Sequence, residues 1–304
     1  MSKSLTSSRR RFLKSTAAGI PVAIAPGAFA QEKKSELPWE VCTFTKVIQH
    51  LSYDEVSEAM VEIGFNGVEA PVRKGGDIEP EAVADELPKM MESLKKHKLN
   101  LTLMTSSINE VSDEQHTEKV LRTAAKLGVK RFRMAYFKYD LAKPIQPQLG
   151  EFSAKVKDLV ALTDEIGIKP VYQNHSGKNY FGAPVWDMVD VFSDFDPKQI
   201  GIAFDIGHAT VEGAKAWPLH FANARPFIDT VYVKEPAWDD NTLSWGPLGK
   251  GVVDKGFYEV LKKSKFDGPI SLHVEYLPHK DPKMAPKIIQ AMKDDLATLQ
   301  TLLS

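Results

Sequence analysis

Short β-rich segments alternate with longer amphipathic helical segments from Glu40 to the end of the chain, and this alternation constrains the fold more than any other feature. No low-complexity segment and no linker rich in Pro, Gly or Ser interrupts it. The predicted strands are Val41–Phe44, Gly67–Ala70, Leu99–Met104, Arg131–Ala135, Ile168–Tyr172, Ile202–Asp205, Thr230–Lys234 and Ile270–Glu275. The predicted helices include Tyr53–Ile63, Pro80–His97, Glu114–Leu127, Ala154–Ile166, Pro184–Ser193, Lys255–Lys262 and about Pro282–Leu303. Gly64, Gly128 and Gly167 each follow an apolar helical face, which predicts helix ends in the left-handed conformation.

Strand–helix alternation predicts a parallel sheet, because a helix is the usual connection between parallel strands. Eight repeats over the 274 residues after residue 30 favour an α/β fold closed as a (β/α)8 TIM barrel over an open doubly wound sheet. No G-x-G-x-x-G follows the first strand, and the P-loop and G-x-S-x-G motifs are also missing. We therefore predict one barrel domain over residues 31–304.

The N-terminal segment has the features of a bacterial export signal. Ser8-Arg9-Arg10-Arg11-Phe12-Leu13-Lys14 resembles the twin-arginine motif, and a weakly apolar stretch follows it. Ala28-Phe29-Ala30 has the small-x-small pattern that signal peptidase accepts. Residues 1–30 are thus predicted to engage the twin-arginine export machinery and signal peptidase, with cleavage after Ala30 and a periplasmic or secreted product. A disordered basic N-terminus, or a short helix, is the alternative.

Charge and cysteine content narrow the classes of partner. The full chain carries a formal charge of −1, and removing residues 1–30, which hold five basic and no acidic residues, leaves −6. A chain of that sign repels a phosphate backbone unless one face is locally basic, so we expect no nucleic acid partner. A single cysteine, Cys42, excludes an internal disulfide framework and a Cys-based zinc site. Twin-arginine export carries folded proteins, which is compatible with a chain without disulfides.

Four successive predicted strands end in polar residues. In a (β/α)8 barrel the carboxyl ends of the strands meet at one rim, where catalytic groups lie. The rim residues of strands five to eight are Gln173, His175, Asp205, His208, Lys234, Glu235 and Glu275. The first four strands contribute Thr43, Lys46, Glu69, Arg73, Thr105 and Arg133.

Each main rim residue also has a structural interpretation. Asp205 could cap the following helix, and Glu275 could form a buried salt bridge. His175 and His208 could be hydrogen-bonded structural histidines, and Lys234 could be solvated. For Asp205, the Asp-x-x-His pattern directly after an apolar strand argues against a capping role alone. At the position of Glu275, a carboxylate needs a partner or an ion, because an isolated buried charge is costly.

Asp, Glu and His together suit a divalent cation with mixed oxygen and nitrogen ligands, such as Mn²⁺, Mg²⁺, Co²⁺ or Zn²⁺. Such an ion chelates neighbouring hydroxyl and carbonyl oxygens of a sugar and acidifies the C–H bond between them. A nearby carboxylate can then transfer the proton. Trp238 and Trp245, in a loop expected to cover the barrel mouth, either pack as a lid or stack on a sugar face.

These residues resemble the xylose isomerase-like TIM-barrel superfamily, which includes sugar isomerases and epimerases, inosose dehydratases and endonuclease IV-like enzymes. The resemblance covers nearly all of the chain after the signal. The segments that carry it are Cys42-Thr43-Phe44-Thr45-Lys46, Gly64-Phe65-Asn66-Gly67-Val68-Glu69, Arg73-Lys74-Gly75-Gly76, Phe204-Asp205-Ile206-Gly207-His208, Tyr232-Val233-Lys234-Glu235, Gly249-Lys250-Gly251-Val252-Val253-Asp254 and Phe266-Asp267-Gly268-Pro269-Ile270-Ser271-Leu272-His273-Val274-Glu275.

The resemblance to the epimerase branch implies a metal held by Glu, Asp, His and Glu after strands five to eight. Asp205 and Glu275 match two of these ligands, whereas Gln173 and Tyr232 stand at the expected Glu and His positions. Gln173 offers a carbonyl oxygen but cannot act as a base. His208 matches a metal ligand of the endonuclease branch, so Asp205, His208 and Glu275, with His175 or Gln173, form an alternative ligand set.

The sequence thus predicts an exported sugar isomerase or epimerase that abstracts a proton beside a carbonyl, assisted by a metal. Glu275 is the predicted base, and Lys234, His175 or Glu235 could supply the acid. The predicted substrate contacts are Arg73, Glu235 and Trp238. A sugar lyase or dehydratase would use the same first step, and a non-catalytic carbohydrate-binding barrel is the alternative of another class. A DNA-repair barrel is disfavoured by the acidic charge.

Overall fold

A computed structural model describes residues 37–304, in which eight parallel strands close into a barrel. The predicted export signal at residues 1–30 lies outside the described residues. The barrel strands are β1 (Val41–Phe44), β2 (Gly67–Val72), β3 (Asn100–Ser106), β4 (Arg131–Arg133), β5 (Lys169–Gln173), β6 (Gly201–Asp205), β7 (Ile228–Val233) and, after a hairpin of β8 (Glu235–Asp239) and β9 (Thr242–Gly246), β10 (Ile270–Leu272). Their order around the barrel is β1-β10-β7-β6-β5-β4-β3-β2. The predicted (β/α)8 fold is confirmed.

Helices surround the barrel on its outer side. They are α1 (Tyr53–Ile63), α2 (Val83–Lys96), α3 (Thr117–Lys126), α4 (Ile145–Ile166), α5 (Trp186–Phe192), α6 (Ile206–Gly213), α7 (Trp217–Ala224), α8 (Gly256–Lys263) and α9 (Ala285–Leu303). Gly64, Gly128 and Gly167 all have positive φ, as predicted for residues that end helices. Among the described helices, none is long and apolar enough to cross a membrane.

Several element boundaries differ from the sequence-based expectation for identifiable reasons. Helix α4 begins at Ile145, nine residues before the predicted start, because Pro147 falls in its first turn, where a missing N–H costs nothing. Strand β10 ends at Leu272 instead of Glu275, and of the three residues that follow, Val274 packs in the apolar core while Glu275 is partly exposed. The tryptophan-bearing loop is an antiparallel hairpin, β8–β9.

The barrel interior is layered from apolar to polar. Leu103, Val171, Ala203 and Tyr232 form a small apolar cluster inside it. Because side chains two residues apart on a strand share a face, the next interior layer towards the carboxyl ends contains Thr105, Gln173, Asp205 and Lys234. The main apolar core lies between the strands and the helices. The fold therefore places polar groups over an apolar floor.

Candidate active site

Lys234 lies between two carboxylates at the carboxyl end of the barrel. Strand β7, which precedes it, has β6 and β10 as its neighbours, and these deliver Asp205 and Glu275. The Lys234 Nζ atom is 3.3 Å from Asp205 Oδ2 and 3.7 Å from Glu275 Oε2. Only 7% of the Lys234 side chain is exposed. We call these three residues the lysine–carboxylate cluster. Each was predicted at the end of a different strand, and the structure places the two carboxylates within contact distance of Lys234.

Asp205 both caps a helix and contacts the other groups of the site, the two roles that the sequence offered for it. Its Oδ1 accepts a hydrogen bond of 3.0 Å from the His208 backbone N–H and so caps α6. Its Oδ2 accepts one of 2.7 Å from the Gln173 side-chain amide and faces Lys234. A Cβ at Gly207 would lie 2.8 Å from the Lys234 carbonyl oxygen, so only glycine allows the start of α6 to approach β7 this closely.

Glu275 is held by three cationic groups. Its Oε1 accepts a 2.8 Å hydrogen bond from Lys46 Nζ, and its Oε2 lies 3.5 Å from His273 Nδ1 and 3.7 Å from Lys234 Nζ. Burial raises the pKa of Glu275, but the nearby His273 ring and the positive charges of Lys234 and Lys46 outweigh it and hold that pKa well below its ordinary value. The side chain is 20% exposed, so an ionised carboxylate reaches the barrel mouth.

The two predicted histidines pack together beside the lysine–carboxylate cluster. The ring centroids of His175 and His208 are 3.9 Å apart. Both rings contact Ser176: the His175 ring contacts the Ser176 carbonyl oxygen, and the His208 ring contacts the Ser176 hydroxyl. Burial and the Lys234 charge lower the pKa of His175 to about 4, and the same two causes hold the pKa of His208 well below its ordinary value. The His208 Nε2 atom is buried, has no hydrogen-bond partner and lies 3.7 Å from Asp205 Oδ2. Both histidines are therefore neutral near pH 7.

Glu69 of β2 was predicted to lie at the rim but was given no role in the site. It is fully buried, and its carboxylate accepts hydrogen bonds from Tyr232 (2.8 Å), Ser271 (2.7 Å) and His273 Nε2 (3.0 Å). Burial alone would raise the pKa of Glu69, but the His273 charge, with Arg133, lowers it to about 2. Burial alone would lower the pKa of His273, but Glu69 and Glu275 raise it. These shifts favour the carboxylate form of Glu69 and the protonated form of His273, and this hydrogen-bonded pair lies next to Glu275.

The predicted substrate contacts lie in different places. Arg73 is half-buried with its guanidinium 5.7 Å from the Phe44 ring, on the β1–β2 side of the mouth. Glu235 is buried, and its carboxylate accepts from the backbone N–H groups of Gly249 and Val253, so it holds a loop. Trp238 is 49% exposed on the hairpin.

Trp245, on the same hairpin, packs over the site, which corresponds to the lid packing considered for the two tryptophans. Its ring lies 4.7 Å from the Lys234 Nζ atom and 5.1 Å from the His208 ring. A cation over an indole face is attracted by the ring quadrupole. The hairpin therefore covers the lysine–carboxylate cluster through Trp245.

The predicted metal ligands do not fit a divalent cation in this arrangement. Asp205 Oδ2 accepts from the nitrogen of Gln173 and faces the Lys234 ammonium, while the carbonyl oxygen of Gln173 accepts a 3.1 Å bond from Arg133. Among the residues that the structure describes, no group of three or more His, Cys, Asp and Glu side chains could hold a metal ion. The ammonium of Lys234 occupies the position where a cation would balance the two carboxylates.

Comparison with known proteins gives the same architecture. A family model described as xylose isomerase-like TIM barrel matches residues 57–296. Similar solved structures include the probable 3-DHS dehydratase AsbF from Bacillus anthracis (TM-score 0.67, 17% identity, 85% of this chain and 98% of that chain). They also include the 3-keto-D-glucoside 4-epimerase YcjR from E. coli in its apo form (TM-score 0.65, 17% identity, 86% of this chain and 99% of that chain). A third is the IOLI protein with a bound zinc atom (TM-score 0.68, 16% identity, 87% of this chain and 99% of that chain).

At these identities the likeness to solved structures establishes the fold. A curated relative, an uncharacterized protein of Methanocaldococcus jannaschii, is 30% identical over 121 residues, which are 38% of this chain. The match spans 40% of the length of that relative. Sugar epimerases and a dehydratase are thus among the structural neighbours, and at least one neighbour binds a metal.

Proposed function

Because the chain belongs to the xylose isomerase-like TIM barrel family, we propose that it transfers a proton at the carbon next to the carbonyl group of a keto or hydroxy sugar. The observation that supports this most is the position of the Lys234 ammonium between Asp205 and the ionised, accessible Glu275. A base and a cation side by side are the two groups that this chemistry requires.

In the proposed step, Glu275 removes the proton from the carbon beside the carbonyl. The C–H bond breaks, its electron pair forms the enediolate double bond, and negative charge moves onto the carbonyl oxygen. Lys234 balances that charge, and it is held in place by Asp205 and covered by Trp245. Lys46 and His273 fix the orientation of the carboxylate. The proton then returns from Glu275 to the former carbonyl carbon, and the hydroxyl proton of the deprotonated carbon passes to the former carbonyl oxygen, so that carbonyl and hydroxyl groups exchange places.

The site favours proton return by the same carboxylate. Gln173 stands where a second carboxylate would be expected, and an amide cannot accept the proton. Asp205 is already engaged by Gln173, Lys234 and the α6 N-terminus. One base suffices to move a proton between neighbouring carbons, so we propose isomerisation ahead of epimerisation. Loss of a β-hydroxyl from the same enediolate would give a dehydratase.

Solvent exchange tests the proposal. The purified chain is incubated with a panel of keto and aldo sugars in deuterated water, and loss of the proton signal beside the carbonyl is followed by nuclear magnetic resonance. We expect exchange with the wild type and a loss of at least about 100-fold in Glu275→Gln. Glu259→Gln, on the exposed face of α8, is the matched control and should exchange normally.

Two results would contradict the proposal. Sugar binding without any exchange would favour the carbohydrate-binding barrel. Full exchange in a folded Glu275→Gln variant would remove the assigned base. Circular dichroism and urea unfolding establish that the variant is folded, so that lost exchange is attributed to the carboxylate.

Chelation tests the role given to Lys234. If the ammonium supplies the positive charge, treatment with a chelator followed by dialysis leaves the exchange rate of the wild type unchanged. Lys234→Met should lower the rate by about 100-fold, since a charge-stabilising donor is lost. Loss of exchange on chelation, with recovery on adding Mn²⁺, would instead assign the charge to a metal.

We also propose that residues 1–30 direct twin-arginine export. The support is the sequence motif alone. Replacing Arg9 and Arg10 by Lys should retain the chain in the cytoplasm of a bacterial host, as measured by cell fractionation. Arg11→Lys, outside the arginine pair, is the control and should be exported. Equal export of both variants would contradict the proposal.

A further inference from the structure

A basic cavity of about 590 Å³ opens beside the lysine–carboxylate cluster. Its volume is that of an ordinary small-molecule site. Its nine lining residues include Lys46, His50, Arg73, Lys74, His279 and Lys280. Four of these nine residues are Lys or Arg, two are His and none is acidic, in a chain whose overall formal charge is −1.

The topology gathers these charges on one side of the barrel mouth. Lys46 follows β1, Arg73 and Lys74 follow β2, and Lys280 follows β10, and these three strands are neighbours in the barrel. The turn after β2 is closed by a 2.8 Å bond from the Gly76 N–H to the Arg73 carbonyl oxygen, which keeps Arg73 and Lys74 at the cavity. The basic side is therefore built from separate loops.

Three of the four cationic groups of the cavity form no direct ion pair with a described carboxylate, although Glu69, Glu275 and Asp77 act on Arg73 from a greater distance. Lys46 donates to Glu275, whereas Arg73, Lys74 and Lys280 have no carboxylate within ion-pair distance among the described residues. Arg73 is also half-buried against the Phe44 ring, where burial, with the Arg133 charge, lowers its pKa. Clustered like charges repel one another, and a bound anion relieves that repulsion.

Lys46 connects the cavity to the proposed chemistry. The same ammonium lines the cavity and contacts Glu275 Oε1 at 2.8 Å. A sugar whose reacting carbon lies at Glu275 can therefore extend towards Arg73, Lys74 and Lys280.

Resting on the proposed function, we propose that the substrate is an anionic sugar, whose carboxylate or phosphate group binds the basic cavity formed by Lys46, Arg73, Lys74 and Lys280. Arg73 provides a planar fork of donors suited to an oxyanion, and the lysines add point charges. The anionic group fixes the sugar so that the carbon beside its carbonyl faces Glu275.

Three matched ligands test this inference: fructose, fructuronate and fructose 6-phosphate, which differ only at the terminal carbon. Calorimetry with the full chain measures each dissociation constant at low and at high salt. We expect at least one anionic ligand to bind about tenfold or more tightly than fructose, with a difference that shrinks as salt rises. Preference for fructuronate or for fructose 6-phosphate distinguishes a carboxylate from a phosphate site.

Paired variants assign the preference to the cavity. Lys74→Gln with Lys280→Gln removes two exposed charges at the cavity and should abolish most of the preference. Lys126→Gln with Lys157→Gln removes two exposed charges from the outer helices α3 and α4 and should leave it intact. Equal or weaker binding of both anionic ligands, or a preference that survives in the first pair, would overturn the inference.

The Glu275→Gln variant separates the two proposals. It should keep the anion preference while it loses proton exchange. A wild type with the preference but without exchange would refute the proposed reaction and leave the anion site standing. Exchange on neutral sugars without any preference for anionic sugars would refute the anion site and support the proposed reaction.

Discussion

Glu69 shows how a single buried carboxylate can organise the floor of the site. It joins β2 to β7 and β10 through Tyr232, Ser271 and His273. A buried charge costs several kcal/mol unless it is paired and hydrogen-bonded, and here both conditions are met. His273 in turn contacts Glu275, so Glu69 positions the proposed base through one intervening ring.

At Glu69, replacement by Gln leaves the His273 and Arg133 cations without their buried partner. We expect Glu69→Gln to lower the free energy of unfolding by about 3 kcal/mol, measured by urea denaturation. Glu58→Gln, at an exposed position of α1, should change it by about 0.5 kcal/mol or less. Equal stabilities of the two variants would show that the Glu69 charge contributes nothing to the fold.

At the scale of the element, local sequence signals predicted what is local in the structure. The predicted bounds Tyr53–Ile63 match the structure: the left-handed Gly64 ends the helix as predicted, and a capping box at Ser52 is found at its start. Helices α6 and α7 were not among the predicted helices, and the β8–β9 hairpin was expected as a loop. Strand ends such as Leu272 depend on the ladder with a neighbouring strand, which the local sequence does not specify.

Some residues of the candidate site could be predicted from the local sequence, and others could not. Asp205, Lys234 and Glu275 could be predicted because each follows an apolar strand, and a barrel brings such positions to one rim. Glu69 and His273 are 204 residues apart, and only barrel closure makes them partners. That Lys234 stands between the carboxylates also depends on side-chain geometry, which the order of residues does not reveal.

The β8–β9 hairpin protects Lys234 through one side chain. Trp245 pairs with Pro236, which is two residues from Trp238 on β8, so both tryptophans lie on the same face of the hairpin. Of the two, only Trp245 contacts Lys234. Trp245→Leu should increase the rate at which an acylating reagent labels Lys234, measured by mass spectrometry. Trp238→Leu is the matched control and should label like the wild type. Identical rates in both variants would show that the hairpin does not shield the lysine.

For the whole molecule, the pH dependence of stability is the sum of these local environments. Glu69 has a folded pKa of about 2, so its contribution is present above its unfolded value near 4.5 and is lost as the pH falls towards 2. His273 has a raised pKa, so its contribution is present below about 6.5 and is lost as the pH rises through the folded value. His175 and His208 have lowered pKa values and favour the folded state at higher pH.

Between pH values of about 7 and about 5, His175 should therefore make the protein less stable in acid. The unfolded chain takes up a proton near pH 6.5, whereas the folded chain resists protonation down to about 4 because His175 is buried beside Lys234. Linkage then predicts that the wild type loses about 2 kcal/mol more than His175→Asn over this interval. Urea unfolding of both proteins at the two pH values gives the difference directly, and each protein serves as its own reference. A His175→Asn variant with the full acid loss of the wild type would mean that this histidine is already protonated in the folded barrel.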